Sequence, residues 1–239
     1  RYEDGIFDIP PQSGKNLKLS IDIDLQEYGE RLMANKIGAI VAIEPSTGEI
    51  LALVSSPSYD PSTLVGRSRG KNYAALNRNP YKPLYDRAIM AAYPPGSTFK
   101  PTQGLTFLQE GVITPHTMYP CYHGFVSGRL RVGCHAHGSP LSLMPAISTS
   151  CNAYFCYGLK SMVDSRSKYK STAEAFDTWK DYMVSMGYGY RLGVDLPSES
   201  RGFIPNSNYY SKIYGEKRWR ALTIISIAIG QGEVLATPL

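Results

Sequence analysis

The chain has 239 residues, 43% of them hydrophobic, with 25 basic against 20 acidic side chains and a formal charge of +5. That length and apolar content suit one large packed core or two small ones and exclude a disordered tail. The charges are scattered without a basic stripe, which excludes a nucleic-acid-binding surface, and the apolar runs, such as "IISIAI" at 224–229, fall far short of the roughly 20 residues of a membrane helix.

In chain order, "NLKLSIDIDLQEYGERLMANKIG" predicts a strand alternating Leu17, Leu19, Ile21 and Ile23. A helix with Leu25, Tyr28 and Leu32 on one stripe follows and stops at Gly38. Residues 39–43 and 50–54 are two β-rich runs joined by "EPSTGE", a hairpin. Residues 57–96, with six prolines, form a long connection of low periodicity. Helical pattern returns at 97–110 with Gly111 as its stop, at 142–163 with a break, and at 172–186. The segment "CYHGFVSGRLRVGCHAHG" is irregular, and "WRALTIISIAIG" is a buried helix running into "GQGEVLATPL". A hairpin followed by a run of helices predicts an α+β domain. The first residue is Arg1, and no turn or charged tail closes the last stretch, so the chain reads as a piece of a longer protein whose targeting or anchoring segment lies outside it.

The chemistry is concentrated in "YPPGSTFKP" at 93–101. Two prolines stiffen the approach and Gly96 allows a sharp turn with room for a substrate. A helix starting near Ser97 then sets Lys100 on the same face, three residues on. A serine hydroxyl is a weak nucleophile until a neighbouring base takes its proton, and a lysine does so when burial and a helix N-terminus lower its pKa. Alone, Ser-x-x-Lys is a common helix start with serine as a cap. Its weight comes from a second element in "STSCNAYF", where Ser150 can relay a proton and Asn152 can hold a substrate carbonyl.

With both elements in this order, the chain resembles the class B penicillin-binding proteins, whose motifs include Ser-x-x-Lys. The likeness extends over "GAIVAIEPSTGEILALVSSPSYDP", "PLYDRAIMAAYPPGSTFKP" and "GYRLGVDLPSESRGFIP", and "SIAIGQGEVLATPL" points to the elongation-type, penicillin-binding protein 2-like branch. The resemblance implies an antiparallel sheet flanked by helices, the fold shared with serine β-lactamases. Residues 1–16 would be a linker from a non-catalytic region, and 17–239 the N-terminal and helical part of the transpeptidase domain. It also implies Ser97 as the acylated nucleophile, Lys100 as its base, Ser150 and Asn152 as the second element, Gly96 and Asn152 as substrate-binding residues, and no cofactor for catalysis. The family's third element, Lys-Thr/Ser-Gly, does not follow Ser150; the nearest string is "KST" at 170–172, so the sheet is expected to be truncated before that strand.

The activity so implied is D,D-transpeptidation of peptidoglycan stem peptides, with β-lactam antibiotics acylating the same serine. The implied place is the periplasmic face of the cytoplasmic membrane, under an N-terminal anchor. The implied partners are a membrane glycosyltransferase of the shape, elongation and division (SEDS) type and other elongation-complex proteins, with no nucleic acid. Two rivals are a β-lactam sensor or serine β-lactamase-like domain and a non-catalytic scaffold of the wall-synthesis machinery.

Four cysteines are too few for a disulfide framework in this length. Cys121, Cys134, His137 and Cys151 make a candidate structural zinc site behind the second motif, with His123 or His135 as substitutes for His137. Some elongation-type relatives carry a metal at a similar place, with carboxylates among the ligands. A Cys121–Cys134 disulfide and free packed thiols stay open beside it.

Overall fold

Asp22 starts the first helix: its backbone is extended, and its carboxylate accepts the N–H of Leu25 at 3.0 Å, capping α1 (Ile23–Leu32). The computed structural model describes Ile9 and residues 12–239, so the linker expected over 1–16 falls largely outside the described residues. The strand expected over 17–23 does not form. Leu17 and Leu19 are 87% and 68% exposed, so the alternation has no layer to pack against, and Ile23 already belongs to the helix.

The expected hairpin is present as β1 (Gly38–Ile43) and β2 (Ile50–Ser56), antiparallel from Gly38 opposite Ser56 to Ile43 opposite Ile50, with a bulge between Ala42 and Ile43. Residues 20–26 close the outer edge of β2. Ser20 Oγ donates to Ile50 O at 2.8 Å and Asp22 N–H to Leu51 O at 2.9 Å. The Gln26 amide both donates to Leu53 O (3.0 Å) and accepts from Leu53 N–H (2.7 Å). One side chain thereby satisfies a donor and an acceptor that a neighbouring strand would otherwise pair. The helix comes this near because Gly29 has no side chain; a Cβ there would lie 2.8 Å from Val54 Cγ2.

The connection 57–96 is not wholly irregular, for it contains α2 (Arg69–Arg78). No residue of α2 is buried, so it has no apolar stripe for periodicity to reveal. Beyond it the buried Arg87 guanidinium donates to the carbonyls of Tyr81 (2.7 Å), Lys82 (3.2 Å) and Tyr85 (3.3 Å), fixing the approach to the candidate site.

A 3₁₀ turn, Gly96–Phe99, leads into α3 (Lys100–Gln109). The stretch expected to be irregular holds a short antiparallel hairpin, β3 (Gly124–Ser127) and β4 (Leu130–Gly133), whose four-residue strands are too brief to show alternation. The break expected in 142–163 separates α4 (Leu143–Ser148) from α5 (Asn152–Val163). Then come α6 (Thr172–Ser185) and α7 (Ser207–Tyr214). The apolar run Ala221–Ile229 is buried as expected but winds as a 3₁₀ helix, ended by Gly230 at φ 66°.

The core centres on α5, where Ala153, Tyr154, Phe155, Cys156, Leu159, Met162 and Val163 are fully buried. Burial of each large apolar side chain contributes about 1.5–3 kcal/mol before entropy is counted. Helix α3 crosses it at Gly158, where a Cβ would lie 2.5 Å from the Phe107 ring. Phe176 and Trp179 of α6 stack at 5.1 Å, and Phe99 meets Trp179 edge-on at 6.4 Å. This is the expected α+β arrangement, two small antiparallel sheets with helices.

Candidate active site

Gly96 adopts φ 60°, a left-handed conformation that glycine takes without strain, and its N–H donates to Gly230 O at 2.8 Å. A Cβ on Gly96 would meet nothing within 4 Å, so the space beside the turn is open. Ser97 follows, exposed, inside the 3₁₀ turn. Pro101 falls in the first turn of α3, where its missing N–H leaves no bond unmade.

Lys100, at the start of α3, points the other way from solvent and is only 2% exposed. Its Nζ donates to Ser150 O (2.6 Å), Ser150 Oγ (2.9 Å) and Asn152 Oδ1 (2.6 Å). An ammonium has three donors, and here all three are used. The structure thus brings Lys100, Ser150 and Asn152 into one hydrogen-bonded group, and Ser97 Oγ is not among the partners of the amine. Burial holds the Lys100 pKa below its ordinary value, against the opposing pull of Cys134, Cys151 and Cys156 nearby.

Two local features make this group. Ser150 sits at φ 52°, outside the regions an L-residue prefers, and presents both its carbonyl and its hydroxyl to the amine. Such a conformation costs about 1–2 kcal/mol and is held by its surroundings. Asn152 opens α5, and its amide is fixed at both ends. Oδ1 faces Lys100, while Nδ2 donates to Gly133 O at the end of β4 (2.7 Å). Its main-chain N–H donates to Cys134 Sγ (3.3 Å).

That sulfur belongs to a second cluster. One ligand atom from each of Cys121, Cys134, His137 and Cys151 lies within 4.8 Å of the others, while His123 and His135 are not in the set. His137 Nδ1 lies 2.7 Å from Gly138 O, which can only accept, so Nδ1 carries a proton, and Nε2 lies 3.3 Å from Cys134 Sγ. Burial pushes Cys151 up to about 12 and also raises Cys121. Burial alone would raise Cys134 too, but the Asn152 N–H, His137 and Cys121 bring its thiol below the ordinary value. All four cysteines of the chain are free thiols.

Sequence reasoning did not single out Gly133, whose carbonyl orients Asn152, or Gly230, which holds Gly96. The "GQG" at 230–232 was the available signal for the latter, as two glycines so near a buried run mark a close backbone approach.

The chain belongs to the penicillin-binding proteins: residues 38–239 match the penicillin binding protein transpeptidase domain. Its likeness is to the elongation-type branch. It is 38% identical over 233 residues to the peptidoglycan D,D-transpeptidase MrdA of Acinetobacter baumannii, which covers 96% of this chain and 33% of that protein. Among solved structures, penicillin-binding protein 2 of Helicobacter pylori superposes with a TM-score of 0.82 at 32% identity, covering 96% of this chain and 42% of the other. Penicillin-binding protein 2 of Pseudomonas aeruginosa, solved with WCK 5153, gives 0.79 at 33% identity, covering 92% and 48%. The chain therefore spans about a third of the length of the curated relative and under half of these solved chains.

Proposed function

We propose that the protein is a serine-type peptidoglycan D,D-transpeptidase in which Ser97 is acylated by the stem peptide and, in its place, by β-lactams. The observation that carries this reading is the buried Lys100 amine, one turn beyond Ser97 and joined to Ser150 and Asn152. The names of the relatives support it, as does the structure of penicillin-binding protein A of M. tuberculosis as an imipenem acyl-enzyme.

In the first step a neutral Lys100 takes the Ser97 proton, and Ser97 Oγ bonds to the penultimate D-Ala carbonyl carbon. The carbon–nitrogen bond to the terminal D-Ala then breaks. The proton passes from Lys100, through Ser150 Oγ at 2.9 Å, to the departing amine. In the second step an amine of a neighbouring stem attacks the ester, gives up a proton by the same route, and Ser97 leaves with it. Asn152 Oδ1 keeps the Lys100 amine in line, and the open space beside Gly96 leaves room for the substrate.

Labelling of the full-length protein with a fluorescent penicillin tests this. The expected result is one label per chain, mapped to Ser97 and abolished in Ser97→Ala. Label on any other residue, or undiminished labelling of that variant, overturns it. Slow release of the label is also expected, since rapid hydrolysis would mark a β-lactamase instead.

The thiol and imidazole cluster is proposed to hold a structural zinc through Cys121, Cys134, His137 and Cys151. The donor set is the one zinc prefers. In a tetrahedral site with Zn–S near 2.3 Å the sulfurs lie about 3.8 Å apart. The atoms within 4.8 Å need draw in by only about 1 Å. The metal would supply a cross-link between the β3–β4 hairpin and the start of α5, and no catalytic step. The partners are proposed to be a SEDS-type membrane glycosyltransferase and elongation-complex proteins, with the enzyme anchored at the periplasmic face of the cytoplasmic membrane. Structural relatives support the partners: penicillin-binding protein 2 of Helicobacter pylori in complex with MreC, and a peptidoglycan synthase complex coordinating polymerization and crosslinking. Among the described residues no helix is long and apolar enough to cross a membrane.

A further inference from the structure

Ser97 is exposed and stands between two anchored points of the chain. On one side Gly96 N–H donates to Gly230 O at 2.8 Å. On the other, one turn beyond Lys100, Gln103 is completely buried and its Nε2 donates to Ile227 O at 3.0 Å. Ile227 O also accepts Gly230 N–H at 3.0 Å. The bonds therefore close a ring, from Gln103 to Ile227, from Ile227 to Gly230, from Gly230 to Gly96, and back along the backbone through Ser97 and Lys100. The ring is tight: a Cβ on Gly230 would press on Gly96 O and lie 2.8 Å from Gly96 N and from Phe99 Cβ.

A glutamine at a fully buried helix position is costly unless both ends of its amide are paired. Here they are, the oxygen accepting Trp179 Nε1–H at 2.8 Å. An apolar residue would fill the same volume, so packing does not account for the amide. We infer that Gln103 and Gly230 are positioning residues for Ser97, setting through this ring where the nucleophile stands relative to Lys100. The inference rests on the acyl-transfer reading above.

The test is pre-steady-state acylation of the full-length protein by a fluorescent penicillin, resolving non-covalent binding from the acylation rate constant. Gln103→Met keeps the bulk and removes both bonds. It is expected to lower the rate constant about 10- to 100-fold, as ångström-scale misplacement does, with non-covalent binding within about 3-fold of wild type. Gly230→Ala is expected to act the same way and carries the test if Gln103→Met does not fold. The control is Met183→Ala, a fully buried α6 side chain in the same core that makes none of the ring's hydrogen bonds and whose loss lowers Tm. Its rate constant is expected to stay near wild type. A folded Gln103→Met or Gly230→Ala at the wild-type rate overturns the inference, as does a loss in Met183→Ala that tracks Tm as closely as theirs. Label that persists in Ser97→Ala would instead strike at the acyl-transfer reading, so the two failures are told apart.

Discussion

Among the described residues Lys100 has no carboxylate partner; its buried amine is held by Ser150 and Asn152 and lies 5.8 Å from the centre of the Phe155 ring. Lys100→Arg keeps the charge but gives a group that does not release its proton, so penicillin acylation is expected to fall by about 10²-fold or more. A rate within a few-fold of wild type would leave the residue a structural cation. The same burial has a thermodynamic signature. With its pKa held below the ordinary 10.5, the folded protein sheds a proton that the unfolded chain still carries, so stability rises with pH from the lowered value up to 10.5. Urea midpoints across that window should lose this slope in Lys100→Met. Glu110 behaves in the opposite sense. Burial by itself would raise its pKa, but hydrogen bonds from Lys168 (2.5 Å), Tyr169 and Tyr182 (2.7 Å) bring it below the ordinary 4.5. The stability it contributes is present above 4.5 and lost as pH falls through the lowered value, so Glu110→Gln should flatten the acid limb of an unfolding profile.

At the scale of elements, the β3–β4 hairpin matters more than its eight strand residues suggest, because its last carbonyl orients Asn152 and its neighbour Cys134 binds the Asn152 N–H. Elemental analysis of protein purified without a His-tag is expected to show about one zinc per chain, the closed four-ligand stoichiometry of a structural site, lost in both Cys134→Ser and Cys151→Ser. A metal-free protein with a Cys121–Cys134 bridge in its peptide map would end that reading. What the sequence revealed follows from what each element does. The β1–β2 hairpin and α3 were visible because their patterns are local, and Lys100, Ser150 and Asn152, which the structure joins, because each sits in a short motif, Ser-x-x-Lys or Ser-x-Asn. Helix α2 was not, since no face of it is buried. The apolar run 221–229 was visible as buried but not as 3₁₀, because a segment apolar on all sides shows no period. Gln103 escaped notice since its partner lies 124 residues away, and nothing in the local pattern marks such a pairing.

For the whole molecule, order should radiate from α5. Its residues from Ala153 to Cys156 are fully buried between α3, the 221–229 run and the β3–β4 hairpin, whereas α2 buries none of its side chains. Native-state hydrogen exchange should find the slowest amides in α5 and exchange faster by orders of magnitude in α2, the pattern of local opening within a stable core. Equal protection of the two helices would contradict this picture.

Asn152 touches both clusters at once, Lys100 through its amide oxygen and Cys134 through its main-chain N–H. A chromophore placed in one cluster should therefore sense the other. With cobalt(II) exchanged for the proposed zinc, the thiolate-to-metal absorption depends on hydrogen bonds to the sulfur. Binding a colourless β-lactam should then tint the protein differently, giving an optical readout of acylation that needs no labelled drug.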